Sequence, residues 1–407
     1  MTSPTSDRPA GGVVPPDVAA RVKAHHDELV ALRRDLHAHP ELSWAEVRTT
    51  RLVRERLTAA GLSPRLLPGG TCLVCDIGSG ERVIGLRADL DALPIVDAKN
   101  VPYSSTVPGV CHACGHDLHT AAVLGAGLVL AELAAEGLLP GAVRLIFQPA
   151  EESPRSGALA VIESGGAAGL ERVFALHCDP RTDVGQVGLR SGAITGSADQ
   201  LLVRLTGPGG HTARPHLTAD LVFALGKVVT ELPAALSRRV DPRAALSLVW
   251  GRVGAGRAAN AIPTTGEVEG TVRCLDSSAW NGAPELVRSL VADLVAPYGV
   301  QAEVTYTRNV PPVDNEPTSV EILTAAVQET EGPDAVVGTE QSLGGEDFAW
   351  YLPSVPGALA RLGVSPPEVP LQDRGDLHQG RFDADERAIS VGARVLVGAT
   401  YVALLSF

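Results

Sequence analysis

Between Cys111 and His116, four of six positions are Cys or His, within the run Cys111-His112-Ala113-Cys114-Gly115-His116-Asp117-Leu118-His119. A second run, Gln148-Pro149-Ala150-Glu151-Glu152, adds two adjacent carboxylates. Thiolate, imidazole and carboxylate donors at this density suit a zinc-like centre, and a spare carboxylate beside them is the base that hydrolytic chemistry needs to deprotonate water. A lone His or Cys is ordinarily structural. A cluster of four, with a glycine that lets Cys114 and His116 turn toward one ion, points to metal binding. Cys111, His112 and His119 fit either as ligands or as partners that orient the ligands. Glu151 and Glu152, neighbours in an extended loop, point in different directions, so one can hold an ion while the other faces water; the spacing does not say which. His177 and His378 stand alone in the chain, balanced between ligand and structural histidine. Asp89 and Asp91 fit as ligands or as acceptors for a ligating imidazole, with Arg87 as their partner. His211, in Gly207-Pro208-Gly209-Gly210-His211, is exposed by a glycine turn, where an imidazole is commonly just solvated.

The surrounding pattern says how these residues are brought together. Helical periodicity at Glu46 to Ala60, Thr120 to Glu136 and Leu159 to Glu163 alternates with short apolar runs at Val83 to Leu86, Val143 to Phe147 and Val173 to Leu176. Such alternation predicts an α/β layer with a mixed, largely parallel sheet between helices. Ligands of such sheets bind beyond the carboxyl ends of the strands. Asp89 and Asp91, Glu151 and Glu152, and His177 each come directly after one of these runs and so converge on one crevice. From about Ser197 the order changes to strand, helix, two strands, helix and strand, a βαββαβ pattern expected of an inserted α+β unit. The expected organisation is a disordered proline-rich tail at 1–17, a catalytic domain at 18–196 and 309–407, and the inserted domain at 197–308.

At 407 residues with a formal net charge of −13, the chain is long for one core and its acidic balance disfavours binding to nucleic acid. No run of about eighteen consecutive apolar residues suggests a bilayer span, and the first residues are not signal-like, so a cytoplasmic protein without membrane partners is expected. Cys72-x-x-Cys75 with Cys111-x-x-Cys114 mimics a zinc ribbon, but residues 71–77 read as a strand, on which residues three apart face opposite ways; Cys72 and Cys75 are expected in the core. Gly125-Ala126-Gly127 lies inside an apolar helical run without the context of a dinucleotide loop and is assigned to helix packing. No Gly-x-Ser-x-Gly elbow occurs.

The strings GLRADLDALPI, HACGHDLHT, FQPAEE, ALHCDP, GPGGHTARPH, ANAIP, GTVR, GGEDF and LHQGRFDADE, in this order, resemble the dinuclear metal amidohydrolases related to hippurate hydrolase, auxin-amino acid conjugate hydrolases and N-acyl amino acid deacylases. The resemblance runs from about Val18 to the end of the sequence. It implies a catalytic domain holding two divalent ions (Zn, Mn, Co or Ni) and an inserted lid that often mediates dimerisation. By this resemblance the metal ligands are Cys114, His116, Glu152, His177 and His378, and Glu151 is the general base. His211 and Asn260 hydrogen-bond the scissile carbonyl or the substrate carboxylate, and Asp91 supports the ligands from behind. Cys111, Cys178 and Pro208 depart from the usual residues without removing a ligand or the base. The expected reaction is hydrolysis of an N-acyl amino acid or short peptide, with a metallocarboxypeptidase or dipeptidase on the same scaffold as the alternative enzyme and a non-catalytic metal-dependent binding protein as the alternative of another class. A homodimer through the lid's strand edge is the expected assembly, with monomeric relatives as the counter-example.

Overall fold

The computed structural model describes residues 12–406. Two compact units emerge: the first is formed by residues up to Gly192 with Asn315–Glu340 and residues from Trp350 onward, the second by Ala193–Asp314 with Gln341–Ala349.

The sheet of the first unit has eight strands in the order Arg65–Leu66, Leu73–Gly78, Ala142–Gln148, Val83–Asp89, Arg172–Asp183, Gly357–Ser365, Val187–Leu189 and Val336–Gly338. Its four central strands run parallel, and antiparallel pairs flank them. This is the mixed α/β sheet that the alternating pattern predicts, since strands buried on both faces read as near-continuous apolar runs. The strand containing His177 is longer than its apolar run, because parallel pairing with Gly357–Ser365 carries it on to Asp183. The helix of the Cys/His cluster begins at His116, not at Thr120, and Gly115 precedes it in the left-handed region at φ 86°. Helices His116–Ala135 and Arg387–Ser406 are apolar and long enough to cross a bilayer by composition, but most of each is buried in this core. Gly125 sits on the packing side of the first, where a Cβ would come within 2.6 Å of Leu29 and 3.3 Å of Ala393. Close helix packing is therefore its use, as the sequence suggested.

Cys72 and Cys75 are buried at and beside the strand Leu73–Gly78, and burial pushes their thiols up to about 12 and about 11. Of the expected tail, residues 1–11 lie outside the described residues. The remainder is not free of the fold: Val13 and Val14 pack on the core, and the Val14 N–H donates to Glu329 at 3.0 Å.

In the second unit, strands Ser247–Ala255, Thr265–Arg273, Ala198–Thr206 and Gln301–Val310 form an antiparallel sheet in that order. Helices Leu221–Arg239 and Ser277–Val295 complete the βαββαβ order over a core of its own that includes Leu201, Val228, Val268 and Val291. The unit is wider than 197–308. Gln341–Ala349 joins it through bonds between residues far apart in sequence, with the Ser342 N–H donating to Ile194 O and the Gly196 N–H to Ser342 O, both at 2.9 Å. No local periodicity announces such bonds.

Candidate metal centre

Cys114 and His116 stand on either side of the left-handed turn at Gly115, where a Cβ would come within 2.6 Å of the Cys178 sulfur. Only glycine fits that conformation and that space. The turn aims Cys114 at His177: Sγ and Nε2 are 3.5 Å apart. The His177 Nδ1–H donates to the Cys178 carbonyl at 2.8 Å, which leaves Nε2 as the free donor atom of the ring. A separation of about 3.5 Å is what a sulfur ligand at about 2.3 Å and a nitrogen ligand at about 2.0 Å subtend around a tetrahedral ion.

Three further groupings share these atoms. Donor atoms of Cys114, His116 and His177, of Cys114, Glu152 and His378, and of His116, Glu151 and Glu152 each lie within 4.8 Å of one another. His378 Nε2 is 3.1 Å from Glu152 Oε1. Its backbone is held at φ 60° by its N–H donating to Ala113 O at 2.8 Å. All the candidates drawn from the first unit therefore converge: Cys114, His116, Glu151, Glu152, His177 and His378, with Asp91 behind them. His211 and Asn260 lie in the second unit and are adjacent there. His211 pairs with Ala261 in a short two-strand ladder, the Asn260 carbonyl accepts the Thr212 N–H at 3.3 Å, and both side chains are exposed.

The other members of the Cys/His run sort by their partners. His119 donates or accepts at both nitrogens, with Asp89 Oδ1 at 2.6 Å and the Cys178 N–H at 2.8 Å, so it orients neighbours and has no atom left for an ion. Arg87 pairs with Asp89 at 2.7 Å. Cys111 is buried, and burial raises its thiol to about 11. Asp91 is the hinge of the arrangement. Its two oxygens accept the N–H groups of Glu151 and Glu152, each at 3.0 Å, while Ser43 donates to it at 2.6 Å and His116 Nδ1 lies 3.3 Å away.

Two supports escaped the sequence reading. Ser43 is one, and Glu46 is the other: fully buried, its Oε1 accepts the N–H of Ala150 and of Trp44, each at 2.9 Å. Ala150 carries φ 53°, an uncommon conformation for a residue with a Cβ, and it turns the chain into the carboxylate pair. Burial pushes the Glu46 carboxyl up to about 7. An acidic residue before a helix reads as an ordinary cap, so the sequence carries no signal for this role.

The electrostatics fit a bound cation. Burial, reinforced by Glu152, Glu151 and Asp89, drives the Cys114 thiol well above its usual value. Burial opposes a proton on His116, yet Asp89 and Asp91 outweigh it and raise the imidazole to about 10. His116 Nε2 is buried with no hydrogen-bond partner among the described residues, and Glu152 Oε1 has only the His378 ring beside it, at 3.1 Å. Buried, negatively biased donor atoms without partners are costly unless ions complete them.

An α/β sheet and its flanking loops that carry these donors, in a chain interrupted by an α+β unit, define a hydrolase of the metallopeptidase type. The chain belongs to peptidase family M20/M25/M40, whose model matches residues 85–401. It is 50% identical over 375 residues to a putative glutamate–cysteine ligase 2-3 of Rhodococcus jostii (strain RHA1), covering 92% of this chain and 46% of that protein, so it spans about half the length of that relative. It is 36% identical over 388 residues to an N-acetylcysteine deacetylase of Bacillus subtilis (strain 168), covering 94% and 98% of the two. Among solved structures it resembles the Bacillus subtilis YXEP protein, described as a dinuclear metal-binding peptidase of the M20 family, with TM-score 0.81, 34% identity and coverage of 95% and 99%.

Proposed function

We propose that the protein hydrolyses the amide bond of N-acyl amino acids, releasing a carboxylic acid and a free amino acid. The observation that carries this reading is Glu151 beside Glu152, with both backbone amides fixed on Asp91 and both side chains in reach of His116. The likeness to an N-acetylcysteine deacetylase along nearly the whole of both chains supports N-acyl amino acids as the substrate class.

Cys114, His116, Glu152, His177 and His378 would hold two divalent ions, of zinc, manganese, cobalt or nickel, which would polarise the scissile carbonyl and lower the pKa of a water molecule. Glu151 takes a proton from the attacking water on its carboxylate and gives it to the departing nitrogen as the carbon–oxygen bond forms and the carbon–nitrogen bond breaks. Asp91 keeps His116 and the Glu151–Glu152 loop in register. His211 donates to the carbonyl oxygen as charge develops on it, and Asn260 orients the substrate. The strand Ser247–Ala255, at the edge of its sheet with Val249 and Val253 exposed, supports assembly of a homodimer through the second unit.

The test is amine release from a panel of N-acyl amino acids and dipeptides by chelator-stripped protein given back one ion at a time. Metal-restored release, fastest on N-acyl amino acids, is expected. Glu151→Gln should lower kcat by about 10²- to 10⁴-fold while bound metal, measured by atomic emission, stays as in the parent protein. A fully active variant would sink the mechanism.

A further inference from the structure

Every residue of the strand Gly357–Ser365 is buried except Arg361. Arg361 is in register with His177 on the adjacent parallel strand, so their Cα atoms are about 5 Å apart and their side chains leave the same face of the sheet. The opposite face at this point is closed by Gly392 of the helix Arg387–Ser406, where a Cβ would come within 3.1 Å of Leu176 and 3.2 Å of Leu362.

No carboxylate answers this charge. Arg361 makes no hydrogen bond or ion pair among the described residues. Acids of the neighbouring strand and of the residue after Thr339 are engaged elsewhere. Asp179 accepts the Arg181 N–H and the Thr182 hydroxyl, and Glu340 lies 3.5 Å from Arg181. A second guanidinium, that of Arg190, reaches the same stretch of backbone and has no carboxylate partner among the described residues. Gly188, opposite Arg361 in the sheet, has the Cβ atoms of both Arg361 and Thr339 beside it. Arg190 reaches only the Thr339 carbonyl, at 3.4 Å, and its Nε is buried without a partner. Two guanidinium groups without counter-charges, next to a ligand histidine, are electrostatically unfavourable unless an anion joins them.

We infer that Arg361, flanked by Arg190, forms a subsite beside His177 for a second carboxylate on the substrate, so that the preferred substrates are N-acyl amino acids bearing an acid group besides the α-carboxylate. This rests on the N-acyl amino acid reading above, in which His211 and Asn260 serve the groups common to all such substrates. Two sources share the chemistry: an acidic amino-acid side chain and a dicarboxylic acyl group.

The experiment compares N-acetylglutamate with N-acetylglutamine for the first source, and N-succinylalanine with its succinamoyl analogue for the second. It uses metal-loaded full-length protein and its Arg361→Gln and Arg361→Lys variants. In at least one pair the parent protein is expected to favour the acid over the amide by about 10- to 100-fold in kcat/KM. Arg361→Gln should erase the ratio, and Arg361→Lys should retain part of it. The same pairs are titrated calorimetrically onto Glu151→Gln, with and without Arg361→Gln, so that discrimination is read from Kd without turnover. Absence of amine release with preserved, Arg361-dependent discrimination in Kd would count against the reaction and leave the subsite standing. A parent protein that treats acid and amide alike, or an Arg361 effect seen only between N-acetylalanine and N-acetylalaninamide, would overturn the subsite.

Discussion

Asp91 carries more of this site than its position behind the ligands suggests. Its carboxylate accepts the amides of both Glu151 and Glu152, takes a hydrogen bond from Ser43, and lies beside His116 Nδ1. Asp91→Asn would set an amide N–H₂ against a loop N–H, donor facing donor, and remove the charge beside His116. The expected result is metal affinity about 10- to 100-fold weaker, measured by competition with a chromophoric chelator. Unchanged affinity would mean that the loop holds itself. At this scale the sequence was informative where chemistry is local. Cys114, His116, Glu151 and Glu152 stand out by density and adjacency, whereas His177 and His378 enter the proposed ligand set only through the family resemblance. Glu46, Ser43 and Arg361 were missed because each acts through contacts made across the fold, and each is a common residue in an unremarkable local setting.

Among the elements, the segment between the first two helices, Val18–Ala38 and Val47–Ala59, acts as a bracket for the carboxylate loop. Ser43 reaches Asp91, Trp44 Nε1–H donates to Arg155 O at 3.1 Å, and Glu46 accepts the Ala150 N–H. Glu46 also gives the bracket a pH signature. Its carboxyl is raised by burial from the ordinary range to about 7, so the folded protein holds a proton there that the unfolded chain releases near pH 4.5. Stability from this group is full below pH 4.5 and is lost as pH rises through 7; at about 1.4 kcal/mol per unit the loss is on the order of 3 kcal/mol. The melting temperature of metal-free protein should therefore fall between pH 4.5 and 7 by more than in Glu46→Gln, whose side chain does not titrate. Parallel curves for the two proteins would remove Glu46 from the account. Helix and strand patterns located the elements that carry the proposed ligands, because buried faces impose their period on the sequence, although the His177 strand runs on to Asp183, well past its apolar run. The start of the helix at His116 was read four residues late, since its first turn carries the buried polar residues His116, Asp117 and His119, whose burial does not follow the helix period.

For the whole molecule, two units with separate cores were legible from the switch between alternating α/β and βαββαβ order, while the capture of Gln341–Ala349 by the second unit was not. This division bears on what metal removal should do. All five proposed ligands belong to the first unit, where the buried His116 Nε2 has no hydrogen-bond partner among the described residues. An ion that binds these folded donors and not the unfolded chain stabilises that unit by mass action, by about 4 kcal/mol when free metal exceeds its Kd a thousandfold. The second unit contributes none of the five ligands, so its own core should be indifferent to the ion. Calorimetric scans of chelator-stripped protein should show a transition lowered by several degrees and restored by zinc or manganese, with the unfolding of the second unit unmoved. Limited proteolysis during the melt assigns each transition, because fragments from Ala193–Asp314 should survive to the same temperature with and without metal. A transition assigned to the first unit that ignores metal would overturn the ligand set, and one assigned to the second unit that moves with it would place a ligand outside the residues named.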